Sequence, residues 1–369
     1  MPISGIGDKQ PFTAPFLHMP FTPKNHLIGL DIGSKTLKMS DVSQNRKKGY
    51  TLNKFSMINI PNGVIEEGII KDPETVADAI RELFASQKVK EKNVAVSIGG
   101  YSVIVKKIQV QSMTDAELQS AIHLEAEQYI PFDINDVNLD YEVLGESATV
   151  ANKLDVILVA AKKELVDEYV NLIDLAGFNL CVIDVDAFAL QNIYELNSDD
   201  SRDTVALIDV GASKTSLNIL KGSTSLFMRD VALGCNQINQ KIATKASCSL
   251  QEAETIKFGG KSSRITAPEI QSLVASVIRD LCLEIRRAID FFYSTFQDDH
   301  INKILVSGGG ANIGEFRKSL AMETGVTVEA FNPFAAFSIH DRIDRSFLDQ
   351  ASSQAAICMG LSIRRTDDK

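Results

Sequence analysis

Two segments of the chain repeat one arrangement of charge, glycine and hydroxyl. LIGLDIGSKTLKMSDV, from Leu27, and VALIDVGASKTSLNIL, from Val205, each read as an apolar strand, Asp-x-Gly, a small polar residue, a Lys-Thr step and a second strand. Asp31 and Asp209 are 178 residues apart, as are Gly33 and Gly211. A glycine at a tight strand-to-strand turn lets backbone N–H groups converge with no Cβ in the way, and such a nest takes phosphate oxygens. Ser34 with Thr36, and Ser213 with Thr215, offer donors beside it, and Lys35 or Lys214 a compensating charge. The aspartate before each turn stands where a hydrated Mg²⁺, or the water that attacks a terminal phosphate, would lie. One such turn is an ordinary Asp-Gly hairpin; two, one at the start of each half, predict opposed lobes gripping a nucleotide polyphosphate.

A third glycine-bearing turn lies late in the chain. ILVSGGGANIGEFRKSL, from Ile304, reads as a buried strand emptying into Gly308, Gly309 and Gly310, then a helix Ile313 to Thr324 whose N-terminus faces whatever the glycines admit. It is not a dinucleotide fingerprint, because Ile313 stands where G-x-G-x-x-G needs its last glycine. GGKSS, Gly259 to Ser263, is not a P-loop, since Thr255 replaces the first glycine and no apolar strand precedes it.

The positioning elements follow from periodicity. An antiparallel meander is predicted at His26 to Ile32, Thr36 to Val42 and Tyr50 to Ile60, then a helix from Asp72-Pro73 to about Gln87. A small α+β insert follows, with strands Asn93 to Ile98, Ser102 to Val110, Val137 to Leu144 and Leu154 to Ala161 and a helix Met113 to Gln128. Helix Glu164 to Leu175 stops at Gly177, strand Asn179 to Asp184 and a helix to Leu196 come next, and the polar run Asn197 to Ser201 marks the main boundary. Beyond it are a second meander Thr204 to Val231, a helical stretch to Phe258, a long helix Pro268 to about Phe296 with one apolar stripe, strand Lys303 to Ser307, and a last helix near Gln350 to Ile363.

Composition narrows the class. With 369 residues, 44% hydrophobic and 23% charged, the chain can bury two or three cores without disulfide staples. Its 38 basic against 48 acidic side chains give a net charge of −10, without the footprint of a nucleic-acid binder. Cys181, Cys235, Cys248, Cys282 and Cys358 form no C-x-x-C pair and read as reduced thiols of a cytosolic chain. No apolar run approaches the ~18 to 20 residues that span a bilayer. Pro11, Pro15, Pro20 and Pro23 break up the apolar start, which reads as a surface-laid tail or a short docking segment rather than a signal peptide.

The order of these elements resembles the superfamily of actin, sugar kinases and heat-shock chaperone ATPases. The expected class is therefore α/β, an actin-like, ribonuclease H-like duplicated two-lobe ATPase fold with a small α+β insert in the first lobe. EAEQYIPF from Glu125, VIDVDAFAL from Val182, EAETIKFG from Glu252 and FNPF from Phe331 resemble the PilM family, cytoplasmic actin-like proteins of the type IV pilus inner-membrane assembly complex. FtsA, the cell-division relative, is the alternative; the hydrophilic ending SIRRTDDK lacks its amphipathic membrane helix. A small-molecule kinase on the same fold is the other alternative.

The resemblance implies a tail at 1–26, a first lobe of 27–92, 162–200 and 346–369, an insert at 93–161, a second lobe of 201–233 and 281–345, and a helical subdomain at 234–280. It implies ATP and Mg²⁺ as cofactors, with phosphate contacts at Gly33, Ser34, Lys35, Gly211, Ala212 and Ser213. Asp31 and Asp209 would meet the metal through water. Glu254 and Lys257 would reach ribose and adenine, with Gly309, Gly310 and Asn312 closing over the adenosine. Asp184 is the first choice to polarise the attacking water and Asp186 the second; either is shorter than the usual Glu or Gln, which implies slow turnover. The implied partners are the cytoplasmic amino-terminal tail of a PilN-like membrane protein, received between the insert and the first lobe, other platform and motor components, and further copies of the chain.

Overall fold

The computed structural model describes residues 26–44, 49–66, 68–147, 150–198, 203–260 and 262–366. The proline-rich start and most of the polar run after Asn197 lie outside them. In the first lobe β1 (Ile28–Ile32), β2 (Thr36–Gln44) and β3 (Tyr50–Asn59) form the antiparallel meander. A two-strand ribbon, β4 (Ile65–Glu66) and β5 (Ile69–Ile70), leads to α1 (Pro73–Ser86). Asp72 caps that helix by accepting from the backbone N–H of Thr75 at 3.1 Å, and the proline costs no bond in the first turn. Its buried face, Val76, Ile80, Leu83 and Phe84, packs in the core beneath the meander.

β6 (Asn93–Ile98) runs parallel to β1. The chain then leaves the lobe to build β7 (Val103–Gln111), α2 (Asp115–Ala126), β8 (Val137–Glu146) and β9 (Lys153–Lys162). The strands form a separate antiparallel sheet in the order β7-β9-β8, with its own core of Ile108, Leu118, Ile122, Val156 and Leu158. The chain returns through α3 (Lys163–Leu175), turns at Gly177 with φ +81°, and adds β10 (Asn179–Val185) beside β6 before α4 (Asp186–Asn197).

The second lobe repeats the plan. β11 (Thr204–Val210), β12 (Thr215–Lys221) and β13 (Thr224–Val231) form the meander, followed by α5 (Asn236–Ala246), α6 (Leu250–Lys257) and α7 (Ala267–Thr295). β14 (Ile301–Ser307), α8 (Phe316–Thr324) and β15 (Thr327–Ala330) complete it. Its sheet order, β13-β12-β11-β14-β15, has the topology of β3-β2-β1-β6-β10 in the first lobe, with a parallel pair flanking each meander. The stripe of α7 is buried at Val277, Leu281, Ile285, Ile289 and Phe292, each side chain contributing roughly 1.5 to 3 kcal/mol of transfer free energy.

Three sequence expectations change. Residues Gly309 to Asn312 form a 3₁₀ turn and α8 begins only at Phe316, so no α-helix N-terminus faces the glycines. β16 (Phe337–Ile339), expected with the second lobe, pairs in parallel with β3 and extends the first sheet. The expected last helix is two, α9 (Arg345–Ala351) and α10 (Ala356–Ser362), separated by a 3₁₀ turn.

α10 packs so closely that two glycines are obligatory. A Cβ at Gly360 would overlap the Ala189 carbonyl on α4, and one at Gly29 would overlap the Cys358 carbonyl on α10. Gly360→Ala should therefore cost about 1 to 3 kcal/mol, read as a lower urea midpoint with unchanged slope; an unchanged midpoint would show that α10 is not seated on α4.

Candidate functional site

The two Asp-x-Gly turns meet. Gly33 N–H donates to Thr36 O at 3.2 Å and Gly211 N–H to Lys214 O at 2.9 Å, so both turns close in the same way. Ser34 Oγ lies 2.7 Å from Ser213 Oγ, a hydroxyl hydrogen bond joining the lobes. Aligned on their glycines, however, the Lys-Thr steps are out of step by one residue. Lys35 stands at the tip of its turn and pairs with Glu254 on α6 at 2.5 Å, also donating to Asn62 Oδ1 at 3.2 Å. Lys214 stands next to β12 and points back into the first lobe, pairing with Asp186 at 2.7 Å and with Asp230 at 3.1 Å.

Under the turns lies a cluster of charge, with Lys38 buried and Asp31, Asp186, Asp209 and Lys214 partly buried. Asp31 faces Lys38 across the hairpin, and their side chains pair at 2.9 Å. Burial alone would depress the Lys38 pKa, but Asp31 holds it above the ordinary value. Asp209 faces Ser216 instead and accepts from Ser307 Oγ at 2.8 Å. Burial, with the charges of Asp31 and Asp186 nearby, pushes its carboxyl up to about 6 despite Ser307 and Lys38. Asp186, the first residue of α4, accepts from Ser97 Oγ at 2.5 Å; burial alone would raise its pKa, and Lys214 with Ser97 brings it below the ordinary value.

Asp184 does not belong to this cluster. It is 0% exposed and sits 3.5 Å from the Arg364 guanidinium, with Val185 N–H donating to its Oδ1 at 2.8 Å. Asp184, the first choice for the water-polarising role, is thus sealed against Arg364, whereas Asp186, the second, stands in the cluster.

The opposite wall gathers the remaining predicted residues. Glu254 and Lys257 share a face of α6, but Glu254 is taken by Lys35, whereas Lys257 lies over the Phe258 ring at 4.8 Å with its pKa lowered by burial. Gly308 adopts φ +80°, and neither it nor Gly310 has room for a Cβ against Val210; Gly309 alone opens to space, its nearest neighbour Gln354 Oε1 at 3.9 Å. Asn312 Oδ1 accepts from Ser353 Oγ at 2.9 Å. Ala212 O accepts from Asn236 N–H at 2.8 Å, fastening the start of α5 to the second turn. A cavity of about 510 Å³ opens between the lobes, lined by Ser34, Asn62 and Lys71 on one side and by Ser213, Asn236 and Gln240 on the other.

Lys38, Asp230 and Ser307 were not foreseen. Lys38 was accessible in principle, because a hairpin closed between Gly33 and Thr36 places residue 38 opposite residue 31. Asp230 sits opposite Ser216 on the neighbouring strand of the same meander, whereas Ser307 reaches Asp209 from a strand 98 residues away, which no local spacing announces.

The duplicated sheets with two glycine turns facing each other across a cleft define the fold of the actin-like ATPases. EutJ from Carboxydothermus hydrogenoformans has this fold at a TM-score of 0.56 and 15% identity, over 94% of this chain and 92% of that one. MreB5 of Spiroplasma citri bound to AMPPNP has it at 0.50 and 12%, over 92% and 95%. Within that class the chain belongs to the family of type IV pilus assembly protein PilM, whose pattern it matches over residues 29–366. A solved PilM–PilN type IV pilus biogenesis complex is similar at a TM-score of 0.81 and 28% identity, over 92% of this chain and 98% of that one. The cell division protein FtsA of Bacillus subtilis (strain 168) is 22% identical over 260 residues, 62% of this chain and 57% of that protein's length.

The cluster sets a stability prediction. Lys38→Met leaves Asp31 buried without its partner and should cost about 3 to 5 kcal/mol, whereas Asp31→Asn combined with Lys38→Met should recover most of it. Chemical denaturation of the three chains reads this directly; single and double variants of equal stability would remove the pair from the account.

Proposed function

We propose that this chain binds Mg²⁺–ATP between its lobes and serves as a scaffold of the type IV pilus inner-membrane assembly complex, taking up the cytoplasmic amino-terminal tail of a PilN-like membrane protein in a nucleotide-dependent way. The observation that carries the nucleotide reading is the meeting of the two turns at Ser34 and Ser213 above Asp31, Asp186 and Asp209. Gly33, Ser34 and Lys35 receive phosphate oxygens from one side, and Gly211, Ala212 and Ser213 from the other. Glu254 and Lys257 take the ribose and base, closed over by Gly309, Gly310 and Asn312.

Among the described residues no group of three or more His, Cys, Asp or Glu has the arrangement of a protein-only metal cage. Mg²⁺ keeps most of its waters and takes phosphate oxygens, so Asp31 and Asp209 suffice as partners through water. The raised Asp209 beside Asp31 is a like-charged pair that a divalent cation relieves. When bound, the metal neutralises charge on the terminal phosphates. Asp186 orients the water next to them, and its retention by Lys214 and Ser97 supports a binder with slow turnover.

Among the described residues no helix is long and apolar enough to cross a membrane. The reading attaches the chain to the cytoplasmic face of the inner membrane through the partner's tail, with other platform and motor components around it and self-association open to it. The tail docks where the insert meets the first lobe. There Asp140 and Glu142 on β8 are partly buried, and burial pushes both carboxyls up to about 7. Their pKa values are higher folded than unfolded, so between about pH 4 and 7 the folded chain holds protons that the unfolded chain has released, and stability falls as pH rises through that window. Asp140→Asn should flatten this dependence, with little effect below pH 4 and a higher melting temperature at pH 8; parallel curves for both chains would refute the assignment.

Calorimetric titration with ATP and Mg²⁺, then with a synthetic peptide of a PilN-like amino-terminal tail, tests the whole reading. Expected are nucleotide binding, peptide binding that changes with nucleotide, and little phosphate release. Rapid ADP production only in the presence of a sugar would replace the scaffold by a kinase. Asp209→Ala should weaken nucleotide binding tenfold or more, and unchanged affinity would remove the second turn from the site.

A further inference from the structure

The insert leaves the first lobe through a short strap, residues 99–102, between the end of β6 and the start of β7. The strap is built for close approach. Gly100 has φ +87°, and a Cβ on Gly99 would overlap the Lys214 ammonium and press on the Asp186 carboxylate. Val103 N–H donates to Gly100 O at 3.1 Å, and Lys162 N–H, at the end of β9, donates to Ser102 O at 3.0 Å. Exit and return of the insert are thereby tied to the same four residues.

The second lobe holds this strap by one oxygen. Asp230 Oδ2, on β13, accepts from Gly100 N–H at 2.6 Å and from Lys214 Nζ at 3.1 Å. Met228 on the same strand packs against the core of the first lobe, so the contact is seated and not a lone surface pair. Lys214 is shared in turn with Asp186. A single carboxylate oxygen therefore touches both a lysine of the second phosphate turn and the root of the insert, although Asp230 itself lies outside the turns.

We infer that Asp230 is a positioning residue that couples the second phosphate turn to the insert. The inference rests on the proposed nucleotide reading and adds the route by which occupancy reaches the partner-binding module. Lys214 has three N–H donors, and in this structure Asp186 and Asp230 draw on them. A polyphosphate at the turn competes for the same ammonium and loosens its hold on Asp230. The Gly99–Gly100 strap, which shares that oxygen, shifts with it, and the insert moves as a unit because both its ends are bonded to the strap. Couplings of this kind change an affinity by about five- to 150-fold.

The test uses the full chain with Mg²⁺–ATP as probe, following hydrogen–deuterium exchange of the amides of residues 99–105 alongside ATP affinity by calorimetry. In the unmodified chain ATP should change exchange in this segment several-fold. In Asp230→Asn, which keeps an acceptor for Gly100 but removes the charge that holds Lys214, ATP should bind within a few-fold of normal while the exchange response is lost. Asp230→Ala, lacking any acceptor, should exchange rapidly at Gly100 with and without ATP, and near-ultraviolet circular dichroism confirms that each variant is folded. An ATP response of the strap that persists in Asp230→Asn overturns the inference, as does an unmodified chain that binds ATP with no response there; in both cases the nucleotide reading survives. Failure of the unmodified chain to bind ATP overturns both.

Discussion

The cleft floor holds partly buried charges that pair across the two lobes, Asp186 of the first with Lys214 of the second. Asp31, Lys38 and Asp186 come from the first lobe, and Asp209 and Lys214 from the second. With Asp230, which also pairs with Lys214, four carboxylates face two ammonium groups, and a buried ion without a partner costs several kcal/mol. Lys38 and Lys214 are each held charged by named carboxylates, and the uncompensated negative charge settles on Asp209, whose carboxyl rises to about 6. The Asp186–Lys214 pair crosses between the lobes, as does the hydroxyl contact between the turns.

The duplication supplies a symmetric frame and the side chains break its symmetry. Both sheets have the same strand order and both turns close with the same glycine hydrogen bond. Yet the residue opposite the turn aspartate is Lys38 in one lobe and Ser216 in the other, and the one-residue offset of the Lys-Thr step sends Lys35 outward and Lys214 inward. Each lysine ends on a carboxylate of the opposing half. The two turn lysines thus tie the lobes together across the cleft.

The local part of this arrangement was legible in the sequence. Alternation and glycine placement locate the meanders and both turns, because hairpin geometry is decided within a few residues. The apolar stripe likewise locates α7 to within a residue at each end. What the sequence concealed is non-local. Asp184 and Asp186 look interchangeable in VIDVDAFAL, and only the arrival of Arg364 from the chain's end assigns one to a sealed pair and the other to the cleft. Strand β16 has three residues and no pattern of its own, and exists because β3 offers it an edge. The glycines after β14 suggested a helix dipole, but two of them are needed to pack on Val210 and the backbone turns once in 3₁₀ form before α8 can start.

The state of Asp186 bears on what the cleft is for. A general base works best when its pKa lies near the working pH and its lone pairs are free. Asp186 meets neither condition: its pKa is held below the ordinary carboxylate value, and its two oxygens are occupied by Ser97 and Lys214. Asp209 has the higher pKa, but Ser307 holds one of its oxygens, and in the proposed site its charge answers the metal. Freeing Asp186 would require Lys214 to leave it, and Lys214 is also the partner of Asp230, which accepts from the strap of the insert. Under the proposed reading, turnover and repositioning of the insert draw on one lysine, Lys214, and that arrangement favours nucleotide as a signal held in place over nucleotide as a fuel consumed.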